Sequence, residues 1–296
     1  VRWLSDSAVS HLREVAELPD FSRTRYEIVR EIGRGGMGVV YEAEDRELQR
    51  RVALKVLATE LASPEAVERL RREARTIARL EHPGVVPVHD VGVLADGRAW
   101  YAMKLVRGEV LRAEGHTRTE LLRLFLRICE PVAFAHARGF VHRDLKPENV
   151  MIGSFGEVLI MDWGVATSLQ AGDGGEIAGT KGFMAPEQER GATVDARADV
   201  FALGRILASL MPADRIPKAL RAVIARATAS SPADRYPDAA KLADDVARFS
   251  DGLPVEAYRE NALERSGRWL SRNRALVGMV LAYLLMRVIV FLYGRS

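Results

Sequence analysis

The sequence predicts an α+β protein of two lobes that ends in a C-terminal transmembrane helix. Three observations carry that expectation. Short β-rich runs dominate between Tyr26 and Lys104, helical periodicity dominates from about Glu109 to Ser250, and Ala275–Tyr293 is almost uniformly apolar. A β-rich first part followed by a helical remainder implies two lobes that share one cleft.

Taken in order, Val1–Asp20 has a helical, amphipathic rhythm at Leu4, Val9, Leu12 and Val15, but no uninterrupted apolar stretch of the kind a signal peptide needs. YEIVREI, GVVYEAED and RRVALKVL then read as three antiparallel strands, with a glycine cluster between the first two. Pro64 opens a helix to about Leu80, and two strands follow near Val85–Val93 and Arg98–Lys104. Helices are expected at about 118–138, 197–210, 217–229 and 237–249, with short strands around 149–161. The expected organisation is an N-terminal helical extension 1–25, a body 26–250 split into lobes 26–106 and 107–250, a basic juxtamembrane linker 251–274, and the apolar helix 275–293.

The chain of 296 residues carries 43 Lys+Arg against 40 Asp+Glu, with a single cysteine. Its charged and hydrophobic fractions of 28% and 48% exclude a disordered or collagen-like chain. Cys129, in the apolar run LFLRICEPVAF, has no partner for an internal disulfide and reads as a buried thiol. Residues 264–296 hold six Arg and one Glu, so their net charge of +5 leaves −2 on the rest of a chain whose total is +3. The basic balance lies in the tail, and the body has no nucleic-acid signature.

The 19 residues Ala275–Tyr293 contain one charge, Arg287. As a helix they extend about 28 Å, close to the hydrocarbon thickness of a bilayer. Arg265, Arg268, Arg272 and Arg274 lie just before them, and by the positive-inside rule they keep the body on the cytoplasmic side. The expectation is a single-pass, tail-anchored membrane protein; a helix buried or used to form a homodimer is the competing reading of the same segment.

Three motifs carry chemistry. Gly33-Arg34-Gly35-Gly36-Met37-Gly38 fits G-x-G-x-x-G, which by itself also fits a dinucleotide fold. The following residues Val39–Ala43 read as a strand rather than a helix, so Gly33, Gly35 and Gly38 belong to a hairpin whose backbone N–H groups can approach phosphate oxygens. Val52-Ala53-Leu54-Lys55 places an ammonium about twenty residues further on, and Glu73 on the next helix can hold it by a charge-assisted hydrogen bond. The third motif is Val141-His142-Arg143-Asp144-Leu145-Lys146-Pro147-Glu148-Asn149.

With that run the sequence resembles the eukaryotic-type protein kinases, in their bacterial serine/threonine branch. The resemblance covers about residues 26–250 and continues through Asp162-Trp163-Gly164, Gly179-Thr180, Ala185-Pro186-Glu187 and the helix start Asp199–Gly204. It implies the bilobal protein-kinase fold and transfer of the ATP γ-phosphate to Ser/Thr hydroxyls of protein substrates, with Mg²⁺ as the metal cofactor. Asp144 would orient the substrate hydroxyl and accept its proton. Lys146 would stabilise the transferred group, and Asn149 and Asp162 would hold magnesium. Lys55, held by Glu73, would contact the α- and β-phosphates. By the same resemblance Met103 is the gatekeeper and Lys104–Val106 the hinge that binds the adenine edge. Ile32, Val40, Ala53 and Met151 would sandwich the ring. Thr180 resembles the threonine that bonds the catalytic Asp and Lys in Ser/Thr-specific members, and Glu187 with Arg235 would form a buried ion pair.

Three departures stand out. Trp163 occupies the position of the usual Phe, and its N–H needs a partner. Leu169–Gly179 contains no Ser, Thr or Tyr, so Glu176 either supplies Arg143 with a fixed negative charge in place of a loop phosphate or is a solvated loop carboxylate. Only Pro212–Ile216 joins the central helix to the next, which removes part of the usual docking surface and leaves membrane co-localisation to select substrates.

Overall fold

The computed structural model describes residues 18–35, 38–58, 63–163, 167–168, 179–212 and 216–293, without the side chains of residues 167, 168, 271, 272, 274, 276, 288 and 291–293. The expected helix at Leu4–Val15, Gly164, and Glu176 with its loop lie outside the described residues.

Three strands open the fold: β1 (Tyr26–Gly35), β2 (Gly38–Asp45) and β3 (Arg50–Leu57), joined as successive antiparallel hairpins. Helix α1 (Pro64–Arg79) follows, then β4 (Val88–Val93) and β5 (Ala99–Lys104). In the resulting sheet β5 lies between β3 and β4, giving the order β1-β2-β3-β5-β4. Period-two alternation divides the side chains between the two faces. Val52, Leu54, Val56, Trp100 and Ala102 join Phe21, Tyr26 and Tyr41 in an apolar layer on the outer face. Ala53, Leu57, Tyr101 and Met103 point the other way, into a core continuous with the rest of the molecule. A one-residue slip would turn Lys55 onto the outer face, so these two apolar layers fix its direction.

Helix α1 begins where Ser63 Oγ accepts from the Ala66 amide, with Pro64 in the first turn where its missing N–H is no loss. Its buried stripe is Leu70, Glu73, Ala74 and Ile77, at the three- and four-residue spacing of a single helix face. Glu73 is the carboxylate of that stripe, and the packing that buries α1 also aims Glu73 at the sheet.

The second lobe contains β6 (Gly108–Val110), α2 (Arg118–Ala137), β7 (Phe140–Val141), a 3₁₀ turn (Pro147–Asn149), β8 (Val150–Gly153), β9 (Val158–Ile160) and β10 (Thr167–Ser168). It continues with α3 (Pro186–Glu189), α4 (Ala196–Leu210), α5 (Lys218–Ala227), a 3₁₀ turn (Pro232–Asp234) and α6 (Ala239–Ser250). Helix α2 carries a reciprocal cap: the Glu120 amide donates to Thr117 Oγ1, and Glu120 Oε2 accepts from the Thr117 amide. Helices α2, α4 and α6 meet through fully buried Phe125, Ile128, Val132, Leu203, Leu207, Leu242 and Val246. Burial of such a side chain stabilises by about 1.5–3 kcal/mol. Cys129 is buried in this core, where burial pushes its thiol far above the usual range, so it is inert.

Helices α7 (Ala262–Arg272) and α8 (Arg274–Tyr293) end the described chain. Helix α8 is a continuous 20 residues, and its apolar side chains are exposed around its circumference, Met279 at 64%, Leu281 at 61% and Val290 at 64% among them. Among the described residues no helix is long and apolar enough to cross a membrane.

Candidate active site

The lobes enclose a cleft of about 1130 Å³. Ile32, Val40 and Ala53 form its roof, Met151 on β8 its floor, and Met103 with Tyr101 its rear wall; Lys104 and Val106 line the connecting edge. All the residues expected around the adenine therefore face one cavity. Gly33, Gly35 and Gly38 edge the same space. They are not equivalent: a Cβ on Gly33 or Gly35 would meet nothing within 4 Å, whereas one on Gly38 would collide with the Val56 carbonyl of the neighbouring strand. The first two glycines leave room for a ligand; the third lets β2 approach β3.

Lys55 Nζ lies 2.7 Å from Glu73 Oε1 and 2.9 Å from Asp162 Oδ1. Burial disfavours the ammonium, but the field of Tyr101, Glu73 and Asp162 outweighs it and holds Lys55 charged well above the usual lysine range. Burial likewise works against the Asp162 carboxylate, and the Lys55 ammonium beside it more than compensates, so Asp162 lies below its ordinary value.

Opposite this pair, the loop after β7 carries Asp144. Thr180 Oγ1 donates to Asp144 Oδ1 at 2.7 Å, and Lys146 Nζ donates to Thr180 Oγ1 at 2.6 Å while lying 3.1 Å from Asp144 Oδ2. Asn149 Nδ2 donates to the Asp144 carbonyl at 2.8 Å, which commits the amide nitrogen and leaves the Asn149 carbonyl oxygen for a hard cation. Asn149 and the half-exposed carboxylate of Asp162 line the same cleft. One carboxylate and one amide oxygen suit Mg²⁺, which takes few protein oxygens and completes its shell with water and phosphate. Among the described residues no cluster of three or more His, Cys, Asp or Glu forms a closed protein cage, so the donor set fits a metal brought in with a nucleotide.

The loop is anchored from below. Asp199 in the first turn of α4 accepts from the His142 amide at 2.8 Å and the Arg143 amide at 2.9 Å, and His136 Nε2 lies 2.9 Å from the same carboxylate. Burial pushes the Asp199 pKa up, but the hydrogen bond and charge of His136, with the bonds from the loop, outweigh it and hold the group below its usual value. Arg143 (φ 69°) and Asp162 (φ 56°) are left-handed without being glycine, and at Arg143 the bond to Asp199 holds the strained backbone in place. Gln188 Nε2 adds a bond to the Arg143 carbonyl at 2.8 Å.

Trp163 is 1% exposed; its indole N–H donates to the Ile160 carbonyl at 3.3 Å and its ring lies 4.6 Å from that of His142. The N–H that the sequence left without a partner thus has one. Glu187 and Arg235 form a two-pronged buried pair at 2.6 and 2.8 Å. Three residues here were not singled out from the sequence: Tyr101, whose OH donates to Glu73 Oε1 at 2.8 Å, Gln188 and His136. Tyr101 and His136 carried no motif signal, while Gln188 directly follows Ala-Pro-Glu.

The family model for the protein kinase domain matches residues 26–231. Among curated proteins, the serine/threonine-protein kinase PknD of Chlamydia caviae is 33% identical, over 78% of this chain and 32% of its own. PknB of Mycobacterium tuberculosis, also a serine/threonine-protein kinase, is 34% identical over 81% of this chain and 45% of its own. The chain thus spans less than half the length of these relatives. Among solved structures, the M. tuberculosis PknI kinase domain superposes with a TM-score of 0.60 at 29% identity, covering 78% of this chain and 97% of that one.

Proposed function

The chain belongs to the protein kinase family, and on that premise we propose that it transfers the γ-phosphate of ATP to Ser or Thr hydroxyls of protein substrates, from a position at a membrane. The observation that carries the catalytic part is the Asp144–Thr180–Lys146 cluster at the cleft. Asp144 is held with one oxygen bonded to Thr180 and the other beside Lys146, so its carboxylate is oriented before a substrate arrives. In that position it accepts the proton of an incoming hydroxyl, and Lys146 lies where negative charge on the transferred group develops. Lys55 would bind the α- and β-phosphates, and Asn149 with Asp162 would hold the metal. Bound Mg²⁺ supplies charge neutralisation across the phosphates. Met103, Ile32, Val40, Ala53 and Met151 exclude water around the adenine, whose edge meets the backbone of Lys104–Val106. We assign the catalytic body to residues 26–250.

Membrane attachment rests on a different feature. The described side chains of α8 are largely exposed and, apart from Arg287, apolar, so in water they lack a matching solvent. Twenty residues of helix extend about 30 Å, the thickness of a bilayer core. The exposed Arg265 precedes it in α7 and suits the acidic face of a membrane, whereas Arg268 is paired with Glu260.

The test is transfer of labelled γ-phosphate to Ser- and Thr-containing peptides by the purified chain with Mg²⁺. Asp144→Asn is expected to abolish transfer while Mg·ADP still binds. Equal transfer by the variant, or label appearing only on tyrosine, would overturn the assignment. Flotation on acidic liposomes of the full chain against residues 1–273 tests the anchor; equal flotation of both would remove it.

A further inference from the structure

Tyr101 follows from the sheet register. In the β3–β5 pairing Lys55 stands directly opposite Tyr101, so the two side chains leave the sheet on the same face, toward α1. Tyr101 is 2% exposed, and Lys55 Nζ lies 5.9 Å from its ring centroid. Its hydroxyl donates to Glu73 Oε1, the oxygen that also accepts from Lys55 Nζ. The second oxygen, Oε2, is buried and has no hydrogen-bond donor among the described residues. Two donors on one oxygen therefore hold the Glu73 carboxylate to the sheet. One of them, Lys55, is shared with Asp162 and has to turn toward phosphate when a nucleotide enters. The other has no competing partner, and burial with the adjacent Glu73 keeps its proton on well above the usual phenol range.

We infer that Tyr101 is a positioning residue for phosphoryl transfer: its phenol holds Glu73, and with it helix α1, in the inward arrangement before and during nucleotide binding. The inference rests on the kinase reading above. It gives this chain a preassembled Lys55–Glu73 pair whose geometry depends on a strand residue rather than on an external signal. A buried tyrosine that merely fills space would make the ring indispensable and the hydroxyl dispensable, so the hydroxyl is the atom to test.

The experiment uses the full chain as wild type, Tyr101→Phe, Glu73→Gln and the double variant. Tyr101→Phe keeps the ring and removes a hydrogen bond to a charged group, so kcat/KM for ATP is expected to fall about 10- to 100-fold. In the Glu73→Gln background the acceptor is a neutral amide oxygen, so the same change is expected to cost only about 2- to 10-fold, the reduction being the signature of direct coupling. An equal loss in both backgrounds, or no loss in the wild-type background, overturns the inference. A second measurement is independent of activity: the ¹³Cζ resonance of Tyr101, assigned by its absence in Tyr101→Phe, is expected to move in Glu73→Gln. If it stays in place, Tyr101 does not hold Glu73. If wild type transfers no phosphate, the kinase reading fails, and this resonance still decides whether the phenol holds the carboxylate.

Discussion

Replacing Glu187 by alanine removes the counter-charge of a fully buried cation. The Arg235 side chain has no exposed surface, and beyond the two oxygens of Glu187 it donates to the carbonyls of Ala229 at 2.7 Å, Arg197 at 2.9 Å and Ser230 at 3.3 Å. Its guanidinium carbon lies 4.9 Å from the centroid of the Phe201 ring. In Glu187→Ala those carbonyls remain but the charge is uncompensated, and breaking such a pair costs about 3–5 kcal/mol. For a body of this size each kcal/mol moves the midpoint by about 2–4 °C, so a fall of about 6–20 °C is expected. Scanning calorimetry at pH 7 and one fixed scan rate measures it. The double variant Glu187→Leu/Arg235→Met removes both charges and fills the volume, so it should recover most of the loss. A shift below about 3 °C for Glu187→Ala, or a double variant no more stable than the single, would refute the reasoning. Activity should fall even well below the midpoint, because the same short helix carries Gln188 and its bond to the Arg143 carbonyl.

Thr180→Val keeps shape but removes the donor to Asp144 and the acceptor for Lys146; kcat should fall about 10- to 100-fold with KM for ATP nearly unchanged, and Thr180→Ser should recover most of it. Gly38→Ala should destabilise by about 1–3 kcal/mol in urea unfolding, because its Cβ meets the Val56 carbonyl. Gly33→Ala should leave stability within about 0.5 kcal/mol and instead weaken nucleotide affinity, measured by titration calorimetry. Asp199, whose pKa is lowered in the folded state, contributes stability that is full above its unfolded value of 3.8 and is lost as the pH falls through the lower folded value. The stability difference between wild type and Asp199→Asn should therefore be largest at neutral pH and shrink below about pH 4, as followed by urea unfolding across pH.

What the sequence could disclose of this fold depended on whether the signal was periodic, a motif or a register. The strands of the first lobe were legible because alternation in GVVYEAED and RRVALKVL survives in the observed faces, and α1 because its apolar stripe and Pro64 mark both packing and start. Asp144, Lys146 and Asn149 were legible through the resemblance of the run His142–Asn149 to the protein kinases; the full burial of their neighbours Val141 and Leu145 emerged only in the structure. Tyr101 was illegible: within WYAMK it is one more strand aromatic, and only the pairing of β3 with β5 sets it opposite Lys55. The part Asp199 plays was half legible. The helix that begins there was expected, but that its carboxylate would receive two amides from a loop over fifty residues earlier depends on tertiary packing that no local pattern encodes. The left-handed backbones of Arg143 and Asp162 were hidden for the same reason, since no glycine marks them.

The rear wall of the cleft sets terms for inhibitor chemistry. A synthetic ligand that reaches past Met103 meets the Tyr101 phenol and the indole of Trp163 where a purely aliphatic wall would accept any greasy substituent. The phenol proton is already committed to Glu73, so a substituent that displaces the ring without supplying its own donor forfeits about 1–3 kcal/mol. Compact molecules that stop at the hinge avoid that loss. A small donor aimed at the Tyr101 oxygen, or one that takes over its bond to the carboxylate, would be recognised by this cleft and not by one with an aliphatic wall.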